Sequence, residues 1–329
     1  MNRRRLMALI GGAAAGALPC PSPHAGAAHA AERMRRIGIL APLTEPRGRS
    51  RVAAFRERLA QLGWTEGRDI QIDVRWSADD KELAGQHARE LVAAGADVIV
   101  MQSLQGLRAL RQGTRAVPVV IGAAADLVEM GIVNSLAHPG GNITGFTFAE
   151  FSIGAKWLEL LKTIAPHLAR VLNLHHPGFA RFLPTIEASA ASFAVQPVAA
   201  PVRDAAEMAD AIDAFAREPD GAIIVHPDPV MGAHTGLLIA LAARHGLPAI
   251  YPYRGFVLAG GLMCYGLDWI ERWRSMAGYV DLILRGAQPA ELPVQSATKL
   301  ELVINLRTAK ALGLTIPPRL LAGADEVIQ

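Results

Sequence analysis

The chain has 329 residues, 51% of them hydrophobic and only 5% aromatic, with a formal net charge of +3. Residues 1–30 hold three arginines and no acids, which leaves 30 basic and 30 acidic side chains for the rest. A neutral chain with scattered charges lacks the basic footprint that nucleic-acid binding demands, and Cys20 and Cys264 alone make no disulfide framework.

The first thirty residues read as an export signal. Arg3, Arg4 and Arg5 precede an apolar run from Leu6 to Leu18, followed by small residues. That run is about thirteen residues, short of the roughly twenty that a membrane-crossing helix needs, so cleavage rather than anchoring is expected. Ala28-His29-Ala30 offers small side chains at the first and third positions before a cut, placing the mature start near Ala31. The arginines with Leu6 and Met7 suit twin-arginine export as well as the Sec route, and both point to the periplasm. Ala17-Leu18-Pro19 departs from a lipobox, so no lipid anchor is expected at Cys20. The roughly 300 residues that remain favour two lobes, each with its own core.

From there, short β-branched runs alternate with helical patterns, the signature of parallel sheets covered by helices. Strands are expected at 36–40, 70–74, 97–101 and 118–121, with helices at 52–62, 81–94 and 107–112 between them. Past Pro139-Gly140-Gly141-Asn142 the pattern restarts. It predicts a helix at 154–164, strands at 170–174, 222–225, 248–251 and 261–265, and helices at 208–215 and 237–244. A long helix over 269–284, a strand at 301–304 and a helix at 306–312 complete it. The fold class is α/β, two doubly wound Rossmann-like lobes, with crossings near Gly145, Leu267 and Pro293. The expected lobes are 31–145 with 267–291 and 146–266 with 292–329.

In open α/β sheets, ligands bind beyond the carboxyl ends of the strands. That rule selects Gln102, Ser103 and Leu104 after the third strand, Asp126 after the fourth, and Thr147 past the first crossing. In the second lobe it selects His175, Asp228, Tyr253 and Tyr265. Helix N-termini along such an edge attract a carboxylate, and Asp126 or Asp228 could accept from an ammonium group. Tyr251, Tyr253 and Tyr265 suit either a stacking wall for an aromatic or apolar solute or the edge of a core. His175, His226 and Asp228 allow a zinc or general-base reading, but no matched nucleophile or ligand spacing accompanies them. The sequence also has no G-x-G-x-x-G turn, phosphate loop, G-x-S-x-G elbow or H-E-x-x-H helix. No catalytic residue, cofactor or metal is therefore expected.

Three runs occur together in order: Pro139-Gly140-Gly141-Asn142-Ile143-Thr144-Gly145, Gly260-Gly261-Leu262-Met263 and Glu301-Leu302-Val303-Ile304-Asn305-Leu306. With Pro317-Pro318 and Ala324-Asp325-Glu326-Val327-Ile328, they resemble the ABC-transporter substrate-binding protein family that includes tryptophan-binding receptors. The resemblance covers nearly the whole chain after residue 30. It implies a type I periplasmic binding fold whose lobes close over a small solute, and an ABC permease as partner of a monomeric receptor. Where the family usually reads Gly-Asp-Pro-Val, this chain has Ala125-Asp126-Leu127-Val128. Met101-Gln102-Ser103-Leu104-Gln105 is bulkier than the usual run, and His175-His176-Pro177 replaces an Asn-Pro turn. If His175 faces the ligand, binding varies between about pH 5 and 8. A sensor domain for a membrane partner and an exported hydrolase are the competing readings.

Overall fold

The structure, a computed structural model, describes residues 33–78, 80–102, 104–123, 127–147, 151–296 and 299–329. The expected signal peptide with Cys20, and the expected contacts Ser103 and Asp126, lie outside the described residues. Residues 34–329 form one compact unit.

Thirteen strands are described: β1 (Arg35–Ala41), β2 (Ile70–Trp76), β3 (Val98–Met101), β4 (Val119–Ala123), β5 (Ile143–Thr147), β6 (Arg170–His175), β7 (Gln196–Pro201), β8 (Gly221–Val225), β9 (Ala249–Tyr251), β10 (Met263–Leu267), β11 (Gln295–Ser296), β12 (Leu300–Asn305) and β13 (Glu326–Ile328). They make two sheets. The first runs β11-β5-β4-β3-β1-β2 and the second β13-β12-β10-β9-β8-β6-β7. Every described pairing is parallel except β10 with β12. Both sheets start in the middle and wind outwards in two directions, so the second lobe repeats the topology of the first.

Three passages connect the sheets. After β5 the chain enters the helix 153–164, which packs on β8 and β9, and after β10 it returns through the helix 269–284, which packs on β3, β4 and β5. It leaves again between β11 and β12. Thr147 and Ser296 still pair in the first sheet.

The helix 269–284 forms where the sequence predicts it. Asp268 caps it by accepting the Glu271 N–H at 2.9 Å, and Trp269, Trp273, Met276, Val280 and Ile283 repeat at helical spacing as a buried stripe. The stripe lies against the helix 45–61 and the first sheet. One continuous core runs from Phe55, Phe146 and Trp273 to Trp157, Ile224 and Ile304 on the second sheet. Burial of that apolar surface is the main stabilising term.

The differences from expectation have physical causes. The helix expected from Val52 starts at Glu45, because a polar first turn with Pro46 conceals an apolar face that begins only later. Ile143–Thr147, expected only as a lobe crossing, is a fully buried strand between β4 and β11. There Gly145 has φ +133°, and a Cβ on it would lie 2.1 Å from the Ile121 carbonyl oxygen, so the close pairing with β4 requires glycine. Strand β6 extends one residue further than expected, making His175 a strand residue rather than the first of the loop.

Candidate functional site

The winding direction reverses between β1 and β3 in the first sheet and between β6 and β8 in the second. Crevices open at such switch points, outside the carboxyl ends of the strands. The candidate site therefore comprises the segments that follow these strands, with helix 269–284, whose first turn adjoins the second passage between the sheets.

On the first sheet, Gln102 follows β3 and is half-buried. Its Oε1 accepts from Arg51 at 3.0 Å and from the Trp273 indole N–H at 3.2 Å. Arg51 also stacks over the Trp269 ring, 4.9 Å from guanidinium carbon to centroid. Leu104 opens the helix 104–113 and packs on the core around Leu107 and Ile121. Thr147 ends β5 and is buried.

Arg272 lies one turn into helix 269–284 and is 6% exposed. Its guanidinium stacks on Phe146 at 5.1 Å. Gly122 on β4 lies opposite it and makes room for its neighbour one turn on: a Cβ there would lie 2.8 Å from Met276 Sδ but at an ordinary 3.5 Å from Arg272 Cγ. Burial lowers its pKa to about 10, which leaves it a cation at neutral pH. Sequence reading passed over Arg272, Arg51 and Trp269. A charged residue inside an amphipathic helix reads as solvated, and the partner that covers it, Phe146, is 126 residues away.

On the second sheet, Asp228 joins the two switch-point segments. Its Oδ1 accepts the Met231 N–H at 2.8 Å and caps the helix 229–233, and its Oδ2 accepts the His176 N–H at 3.2 Å. Desolvation raises its pKa against these hydrogen bonds. His175, buried, places Nδ1 3.1 Å from the His176 carbonyl oxygen. Nδ1 can donate to that carbonyl, while Nε2 is buried without a partner. The ring of His226 lies 5.4 Å from that of His175 and is fully buried among Trp157 and Phe182. Desolvation and then the neighbouring His175 lower its pKa to about 3.

The three tyrosines do not form one wall. Tyr251 is a core residue stacked on Phe256 at 4.9 Å and 14°. Tyr253 meets Trp269 edge-on at 6.3 Å, across the second passage between the sheets. Tyr265 sits within β10, half-buried, with its carbonyl accepting the Trp157 indole N–H at 2.6 Å. The structure thus brings Gln102 beside Arg51 and Trp273, His175 beside His226, and Tyr253 beside Trp269. It sets Leu104 against the core.

Among the described residues no group of three His, Cys, Asp or Glu side chains could hold a metal ion. What the arrangement offers is cations, polar side chains and aromatic rings at the edges of two doubly wound sheets, which is the construction of a two-lobed binding protein. The chain matches the ABC transporter substrate binding protein family over residues 36–328 and belongs to it. This family comprises substrate-binding proteins rather than enzymes, receiving small solutes for ABC permeases.

A tyrosine-binding protein of Clostridioides difficile (strain R20291) is 26% identical over 285 residues, covering 85% of this chain and 81% of the relative. The crystal structure of a conserved domain protein from Vibrio cholerae aligns with TM-score 0.79 and 27% identity, over 90% of this chain and all of that one. The ABC domain from Streptococcus pneumonia in complex with L-Trp aligns with TM-score 0.78 and 24% identity, over the same shares. At that identity the likeness shows the fold.

Proposed function

We propose that this chain is the exported receptor of an ABC importer, that it binds an aromatic amino acid or a related metabolite between its lobes, and that it catalyses nothing. The observation that carries the reading is family membership across 36–328, joined to the contact of Tyr253, past the end of β9, with Trp269 at the start of helix 269–284. The tyrosine-binding relative supports the solute class. The lobes are 31–145 with 267–291 and 146–266 with 292–329, and hinge bending at the three passages closes them over the solute. The solute contacts are Gln102, Ser103, Asp126 and Thr147 from the first sheet and His175, Asp228, Tyr253 and Tyr265 from the second, with Leu104 packing the core behind Gln102. The receptor works as a monomer, because both lobes must be free to meet the permease. Residues 1–30 direct it to the periplasm by the twin-arginine or Sec route and are removed. Among the described residues no helix is long and apolar enough to cross a membrane.

A thermal-shift screen against amino acids, aromatic acids, nucleosides and sugars tests the reading. At a hundred times its dissociation constant a true solute stabilises by about 2.7 kcal/mol. A shift with aromatic amino acids, with no product formed, is the expected result. Turnover of a panel member would overturn it.

A further inference from the structure

We propose that the solute carries a carboxylate and that Arg272 is the cation that receives it; this rests on the reading that the crevice between the lobes is the solute site. Three observations lead there. First, Arg272 is a buried cation whose guanidinium meets no carboxylate among the described residues, its contact being the face of Phe146. A buried charge without a counter-charge is costly, which marks Arg272 as a candidate for completion by a ligand's charge.

Second, its position is at the crevice. Helix 269–284 starts at the carboxyl edge of the first sheet, straight after the second passage, and Arg272 and Met276 straddle Gly122, the penultimate residue of β4. Of the two, Arg272 is the nearer to the edge. Phe146, beneath the guanidinium, is likewise penultimate in β5. One turn earlier on the same helix, Trp269 touches Tyr253 of the second sheet.

Third, the neighbouring cation is already engaged. Arg51 donates to Gln102 and stacks on Trp269, which leaves Arg272 as the one with an open fork. A guanidinium on an aromatic face presents its N–H groups in plane, and that fork matches the two oxygens of a carboxylate. Closing the lobes would withdraw the pair from water and strengthen it.

The test uses the full chain as wild type, Arg272→Gln, Arg272→Lys and Arg272→Met, with binding measured by calorimetry. The probes are amino acids and simple aromatic and aliphatic carboxylic acids, each beside its primary amide, together with neutral sugars and nucleosides. The expected result is that wild type binds an acid at least about 30-fold tighter than its amide, that Arg272→Gln abolishes this preference, and that Arg272→Lys restores part of it. An acid bound no better than its amide, a preference that survives Arg272→Gln, or binding of neutral solutes alone would overturn the assignment while leaving the receptor reading intact. No binding of any probe would sink the receptor reading and this inference with it. A separate readout needs no solute: Arg272→Met keeps the packing and removes the charge, so the free protein should melt at the same or a higher temperature. A fall of more than about 4 °C would make Arg272 a structural residue and overturn the proposal.

Discussion

The indole N–H of Trp273 donates to Oε1 of Gln102 at 3.2 Å, joining residues 171 apart in the chain. The same oxygen accepts from Arg51, so one amide at the end of β3 holds helix 45–61 and helix 269–284 together beside the crevice. Gln102→Ala strands a buried indole N–H, and such a loss costs about 1–3 kcal/mol. Gln102→Glu keeps the acceptor, adds attraction to Arg51, and should stay within about 1 kcal/mol of wild type. Urea unfolding of the two variants checks this. Equal stability of Gln102→Ala and wild type would mean that Gln102 serves the solute alone.

His226 makes the protein acid-sensitive. Its folded pKa, about 3, lies below the ordinary 6.5, so the unfolded chain takes up the proton first. The stability this neutral ring allows is fully present above pH 6.5 and is lost as pH falls through that window toward 3. The slope is at most about 1.4 kcal/mol per pH unit. His226→Leu removes the group, so its stability should fall less steeply between pH 6.5 and 4. Parallel pH profiles for the variant and wild type would refute the assignment.

The opposite sign holds at Glu301, which is 3% exposed and begins the second sheet again after the third passage. Burial raises its pKa from 4.5 to about 7 against the pull of Arg254, which lies 3.1 Å away and also pairs with Glu326. A carboxyl whose folded pKa is raised contributes stability that is complete below pH 4.5 and is lost as pH rises through 7. Glu301→Gln should therefore gain on wild type by about 2–3 kcal/mol between pH 4.5 and 8. Thermal melts at both pH values measure it, and an unchanged difference would show that Arg254 fully compensates the buried charge.

The lobes were legible because parallel strands covered on both faces are written as short apolar runs, as at Val98–Met101 and Gly221–Val225. The edge strand β2 was legible too, from the alternation of Ile70, Ile72 and Val74, but the edge strands β7, β11 and β13 were not. Strand β7 ends its sheet, carries Pro197 and Pro201, and buries fully only Ala200, so it shows neither alternation nor a buried run. For the candidate site the sequence supplies only a set of chain positions, since the edge rule needs only the strand ends. What each side chain does there depends on partners far away in the chain. Asp228 is spent on backbone N–H groups of residues 176 and 231, and Arg272 lies over Phe146, 126 residues before it in the chain.

Gly145 offers the sharpest test of how the first passage is built. It belongs to the Pro139–Gly145 run that marks the family resemblance, and two residues later β5 ends and the chain leaves the first sheet. Its φ of +133° is open only to glycine, and a Cβ would collide with both the carbonyl oxygen and the amide nitrogen of Ile121, at 2.1 and 2.7 Å. Gly145→Ala must therefore push β5 away from β4, breaking pairings that run from Ile143 to Thr147. A loss of at least about 3 kcal/mol is expected, with poor recovery of folded protein. At Gly141, where a Cβ meets nothing within 4 Å, the same change should cost less than about 1 kcal/mol. If the two alanine variants unfold at the same urea concentration, the close approach of β5 to β4 is not what fixes the chain at this passage.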